Sequence, residues 1–225
     1  MQMKAKPRTK TKPPAGSPEV MEHVVLYDVP WEGYTRLLDA FGDRRLRHSY
    51  LRGTFEIMSP LKRHDSVKKI LARMVEMIAF LLELDIQSIG STTLRKEDAE
   101  AGLEPDECYY FANEPKVRGK PEYEADSDPP PDLAIEVDLT HGGGIIREEI
   151  YASLGVPEVW RWQDEQLVFF KLQKGKYRPI KSSSTFSNLR PADLQVFLDQ
   201  RHELGEGQLI RQFADWVKQA PKLCK

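Results

Sequence analysis

"DLAIEVDLT", residues 132–140, decides how this chain is read. Its four central apolar residues give it the composition of a buried β-strand, and strand alternation sorts it into two faces. Asp132, Ala134, Glu136 and Asp138 point one way, Leu133, Ile135 and Val137 the other. Carboxylates so close together repel and raise one another's pKa unless a cation sits among them. Burying them without a partner is costly. Two readings stay open on spacing alone: the acids lie on a solvated strand end, or they hold a hard divalent ion such as Mg²⁺. If Asp106 comes from a neighbouring strand, Asp106 and Glu136 could chelate one ion between them.

The flanking sequence supplies the frame. "LRHSYLRGTFEIM" alternates, with Phe55 and Ile57 on one face and Thr54, Glu56 and Met58 on the other, and Gly53 near a turn. It reads as a β-hairpin over about 45–58. Residues 65–84 repeat apolar side chains at Val67, Ile70, Leu71, Met74, Val75, Ile78 and Leu82, the period of a core helix with a basic rim in its first half. "IQSIGSTTLRK" reads as one or two short strands and "EDAEAGLE" as a helical turn or loop. "PDECYYF" (105–111) has strand composition, with Asp106, Cys108 and Tyr110 sharing one face. Residues 113–131 form a long polar excursion. "IIREEIYASLG" predicts a short helix ended by Gly155, followed by strands in "EVWRW", "QLVFFKL" and "GKYRPI" and helices near 191–200 and 207–219. The order predicts a mixed α/β or α+β domain over residues 21–220, with a central sheet flanked by helices.

Composition excludes several classes. With 225 residues, 40% apolar and 30% charged, and no long apolar run, the chain carries no membrane span. Its basic amino terminus lacks the apolar stretch of a signal peptide. The two cysteines, Cys108 and Cys224, form neither a metal-ligand spacing nor a disulfide framework. A cytoplasmic, reduced protein is expected. Net charge is −2, yet Lys4, Lys6, Arg8, Lys10 and Lys12 crowd a proline-rich start. Residues 1–20 read as a flexible basic arm, either a solubilising tail or a contact for nucleic-acid phosphates. "HGGG" at 141–144 could cradle a phosphate, but no Lys-Ser/Thr pair follows it and no G-x-S-x-G elbow exists elsewhere. A sharp permissive connection is the simpler reading.

Taken together, "GTFEIMSP", "GSTTLR", "LEPDECYYF", "PPDLAIEVDLTH" and "YASLGVPEVWRW" resemble, in this order, blocks of the Uma family of restriction-endonuclease-like proteins in the PD-(D/E)XK nuclease superfamily. The resemblance runs from about residue 25 to 215. It implies a restriction-endonuclease-like fold, DNA as substrate and Mg²⁺ or Mn²⁺ as cofactor. Asp106 matches the motif aspartate, Glu136 the motif acid, and the backbone carbonyl of Val137 a further metal ligand. Pro131-Asp132 is a decoy on the same strand as Glu136. Where the superfamily places its lysine, two residues after the acid, this chain has Asp138. Some relatives supply the basic residue from the next helix, and the matching position, four before Tyr151, is Arg147. Arginine stays protonated, so it can stabilise charge but cannot accept a proton. Asp138 could assist the metal.

The resemblance therefore implies a metal-dependent endonuclease in which a water attacks the phosphodiester in line. A decayed nuclease fold that binds without cleaving is the alternative. Glu56 and His64 are further candidates, Glu56 approaching the metal from the hairpin and His64 reaching a phosphate from the long helix. A homodimer would suit the cutting of two strands.

Overall fold

Three two-residue turns organise the strands. Arg52-Gly53, Asp164-Glu165 and Lys174-Gly175 all have positive φ at both positions. That is the type I′ geometry whose twist matches flanking antiparallel strands. The computed structural model describes residues 23–42, 47–58, 62–121, 123–124, 127–138, 147–220 and 223, with no side chains for His23, residues 62–65 and Asp138. The basic arm, the 141–144 glycine run and Cys224 lie outside the described residues.

The strands form two sheets. The first contains β1 (His23–Leu26), β2 (Arg47–Leu51), β3 (Thr54–Met58), β5 (Leu94–Lys96) and β6 (Ala101–Leu103), in the order β1-β3-β2-β6-β5, with antiparallel neighbours throughout. The second contains β4 (Gln87–Ser88), β7 (Glu107–Tyr110), β8 (Leu133–Asp138), β9 (Glu158–Gln163), β10 (Gln166–Gln173) and β11 (Lys176–Ile180), in the order β11-β10-β9-β8-β7-β4. Here β8 and β9 run parallel. A parallel pair needs a crossover, and α4 (Arg147–Leu154) lies between its two strands in the chain. Gly155, at φ 79°, ends that helix.

Helix α2 (Lys62–Leu81) covers one face of the second sheet. Ile70, Leu71, Met74, Val75 and Ile78 pack with Leu133, Ile135, Val137 and Trp160 in the largest core cluster. Each such side chain contributes about 1.5–3 kcal/mol on burial. Helices α5 (Pro191–Asp199) and α6 (Glu206–Gln219) complete this layer through Leu194, Phe197, Leu209 and Phe213. On the opposite face α4 lies between the two sheets, its Ile150 and Tyr151 packing with Leu94, Ala101 and Leu103 of the first and Cys108 and Ala134 of the second. The acidic face of β8 therefore looks into the space shared by α4 and the first sheet.

The fold class is α+β, with helices flanking sheets as expected. The single central sheet is corrected to two, because β2, β3, β5 and β6 pair among themselves and not with β7 and β8. Of the two readings of "EDAEAGLE", the loop holds, as a turn over 97–100 that runs into β6. The sequence reading missed β1, α1 (Trp31–Phe41) and β6. Helix α1 lays Tyr34 against Gly102, where a Cβ would stand 2.3 Å from the Tyr34 hydroxyl, so β6 must carry glycine there. Within the polar excursion a short helix, α3 (Glu114–Val117), is anchored from β8. Asp132 accepts hydrogen bonds from the Phe111 and Asn113 backbone N–H groups and from the Asn113 side chain.

Candidate active site

The register of β7 against β8 pairs Glu107 with Ile135 and Cys108 with Ala134. One step further, Asp106 stands beside Glu136, both on the face toward α4. Asp106 and Glu136 are each only 5% exposed. Asp106 Oδ2 accepts a 2.7 Å hydrogen bond from the backbone N–H of Val137, which ties the start of β7 to β8.

The cation that relieves the repulsion between them is an arginine. Nη2 of Arg47, the first residue of β2, lies 3.0 Å from Asp106 Oδ2 and 3.0 Å from Glu136 Oε2. Those oxygens are therefore no farther apart than twice that distance. A second guanidinium closes the group. Arg147 Nη2 donates to Glu136 Oε1 at 2.8 Å and to the Glu104 carbonyl at 2.7 Å, and its Nη1 donates to Ser49 Oγ at 2.8 Å. The Tyr151 hydroxyl, one turn further along α4, also donates to Glu136 Oε1. Nε of each arginine is buried without a hydrogen-bond partner among the described residues. Removing a guanidinium from such a buried ionic group generally costs about 3–5 kcal/mol, because a carboxylate is left uncompensated.

The two acids respond differently to this setting. Burial pushes the Asp106 carboxyl above the usual range, against the pull of Arg47. Burial acts on Glu136 in the same sense, but Arg147 and Arg47 outweigh it and hold that carboxyl below the usual range. Burial works against the charge on Arg147, yet Glu136 beside it keeps the guanidinium firmly protonated. Burial and the Glu136 charge push the Tyr151 phenol well up, so it remains a donor. Glu136 is thus the committed anion, and Asp106 the group that takes a proton more readily.

Of the residues singled out in the sequence, Asp106, Glu136, Val137 and Arg147 meet at this point. Asp138 lies in β8 opposite Gln163 on β9, but its side chain, like that of His64 in α2, lies outside the described residues. Glu56 is buried on β3 opposite Ser49, so it shares the β2–β3 face that carries Arg47 and Ser49. Asp132 serves the α3 turn and not the acid pair. Cys108 is fully buried and donates to the Gly90 carbonyl, while Tyr109, Tyr110, Trp160 and Trp162 are core. The basic rim of α2 is partly spent, since Lys68 lies 3.5 Å from Glu107 and Arg73 pairs with Glu206, leaving Lys69 exposed. Sequence reading missed Arg47, Ser49 and Tyr151 as parts of the site. The one signal was a cation in a strand whose neighbours alternate toward the core.

An ion in this position was tested against the residues present. Two carboxylate oxygens from adjacent strands, aimed at a common point, fit a hard divalent cation that draws its other ligands from carbonyl groups, water and phosphate. No cluster of three or more His, Cys, Asp or Glu residues suited to a metal exists among the described residues. The fit therefore rests on the carboxylate pair.

Fold and site together define an α+β protein with paired buried acids, one just ahead of β7 and one within β8. The chain matches the Uma2 family, "Putative restriction endonuclease", over residues 31–198, and it belongs to that family. Its fold is shared by a crystal structure of a "putative nuclease belonging to DUF820" from Anabaena variabilis ATCC 29413. The TM-score is 0.52 at 11% identity, covering 82% of this chain and 99% of that one. No curated protein matches. No helix among the described residues is long and apolar enough to cross a membrane.

Proposed function

We propose that this chain is a divalent-metal-dependent endonuclease that hydrolyses DNA phosphodiester bonds. The observation that carries the reading is the convergence of Asp106 and Glu136 on a single point from adjacent strands. Asp106, Glu136 and the Val137 carbonyl would hold Mg²⁺ or Mn²⁺, and Asp138, two residues after Glu136 in sequence, would assist. Such an ion supplies Lewis acidity and lowers the pKa of water at neutral pH. The protein supplies the rigid frame. The Val137 N–H fixes Asp106 Oδ2 where it faces Arg47, and Tyr151 and Arg147 fix Glu136 Oε1, which leaves Glu136 Oε2 turned to the same point. Arg147, protonated throughout, cannot serve as a base. It orients Glu136 and places positive charge beside the phosphate. The basic arm and Lys69 contact the DNA backbone without reading sequence, and a homodimer would set two such centres on a duplex.

A second reading, a nuclease-fold protein that binds nucleic acid without cutting it, is favoured by the absence of the motif lysine, whose place Asp138 takes. Supercoiled plasmid incubated with Mg²⁺ or Mn²⁺ separates the two. Nicking by the wild type and none by Glu136→Gln supports the enzyme. Duplex binding without nicking by the wild type supports the second reading, and equal nicking by both proteins removes the enzyme reading.

A further inference from the structure

The two arginines of the site are anchored very differently. Arg147 donates to acceptors from three elements: a β2 hydroxyl, the Glu104 carbonyl ahead of β7, and Glu136 on β8. It would stay in place if any one let go. Arg47 reaches the site through Nη2, which among the described residues meets only the two carboxylates named as metal ligands. Its Nε has no partner among the described residues, and its side chain retains 12% exposure. Arg47 is thus held by the very oxygens that an ion would claim.

Charge makes the conflict sharper. Two carboxylates and two guanidiniums are neutral together, so a dication added to that group would leave two positive charges without a counter-charge in a buried setting. The space is also contested, because oxygens that approach Nη2 at 3.0 Å converge where an ion would draw them in to roughly 2.1 Å. With Arg47 withdrawn, the ion, Arg147 and the two carboxylates carry one net positive charge. That is the complement of a single phosphodiester.

Building on the metal-dependent reading, we infer that Arg47 is a competitor carried by the chain itself. It occupies the metal position when no ion is present, is displaced as a divalent cation binds, and so sets the affinity for the metal. The displaced guanidinium remains tethered to β2 beside the site. Reciprocity follows from linkage: whatever loosens Arg47 tightens the ion, and the ion exposes Arg47 by the same factor.

Mn²⁺ binding, followed by the electron paramagnetic resonance signal of the free ion, tests this without any turnover. Arg47→Gln should bind Mn²⁺ about tenfold more tightly than the wild type, or better, a difference of about 1.4 kcal/mol. Equal or weaker binding by Arg47→Gln, with Asp106→Asn abolishing it, overturns the competitor role and leaves the metal site standing. Absence of Mn²⁺ binding in both the wild type and Arg47→Gln removes the metal-dependent reading and this inference with it. Should Arg47→Gln fail to fold, the wild type alone decides. Phenylglyoxal modification of Arg47, read by peptide mass spectrometry, should rise over the Mn²⁺ range in which the ion binds, while Arg147 stays protected. Unchanged modification of Arg47 at saturating Mn²⁺ overturns the inference.

Discussion

Asp106 and Glu136 show how two like charges one strand apart are kept in a folded chain. Glu136 has one oxygen fixed by Tyr151 and the other turned to Arg47. On Asp106 the same oxygen accepts from Val137 and faces Arg47, and the two carboxyl groups move in opposite directions from the usual range. Because burial already disfavours the charged form of Asp106, neutralising that residue removes a strain more than a support. Asp106→Asn is expected to abolish Mn²⁺ binding in titration calorimetry while leaving the melting temperature nearly unchanged or higher. Glu104 offers a second prediction at this scale. Burial raises its carboxyl pKa, against the pull of Arg47, Lys68 and Arg147. Between the ordinary glutamate range and this raised value the folded chain holds a proton that the unfolded chain has released. The contribution of Glu104 to stability is therefore present at low pH and lost as pH rises through the folded pKa. Glu104→Gln removes that loss. Calorimetric melting from about pH 4 to about pH 8 should give coincident curves at the acid end and a higher melting temperature for the variant at the neutral end. A constant difference across the range would contradict the assignment.

Elements were legible where they carried their own periodicity. The hairpin, α2 and the strands from β9 to β11 follow from alternation and from the 3.6-residue repeat, and their turns from glycine or short polar pairs. Strand pairing was not legible, since alternation states which face is buried and not which strand lies alongside. This is why two sheets stand where one was expected. The acids of β8 could be found because charge interrupts an apolar run. Arg47 could not, because it meets Glu136 across 89 positions of sequence and its own strand merely alternates. Asp132 sits just before the same strand yet does different work, its carboxylate holding three donors of the Phe111–Asn113 turn at 2.7–2.9 Å. Asp132→Ala strands two backbone N–H groups in a buried place. It should cost about 3 kcal/mol in chemical denaturation, with Mn²⁺ affinity in the surviving folded protein unchanged. Lost metal binding at full stability would place Asp132 in the site instead.

At the scale of the whole molecule, the site is a product of the seam between sheets. The second sheet brings Asp106 and Glu136, the first brings Arg47 and Ser49, and α4 between them brings Arg147 and Tyr151. The second sheet sets the two acids in register, and the first sheet and α4 bring the cations that neutralise them. The family match and the Anabaena variabilis fold relative place this frame among nuclease-like proteins. The proposed chemistry depends on whether a divalent ion enters the point where both acids converge. Diffraction from a crystal soaked in Mn²⁺, collected for anomalous signal, locates such an ion directly. The account predicts one strong peak between Asp106 and Glu136, within bonding distance of an oxygen of each and with Arg47 moved aside. Saturating Mn²⁺ that leaves the Arg47 guanidinium seated between the two carboxylates, with no peak there, would contradict it.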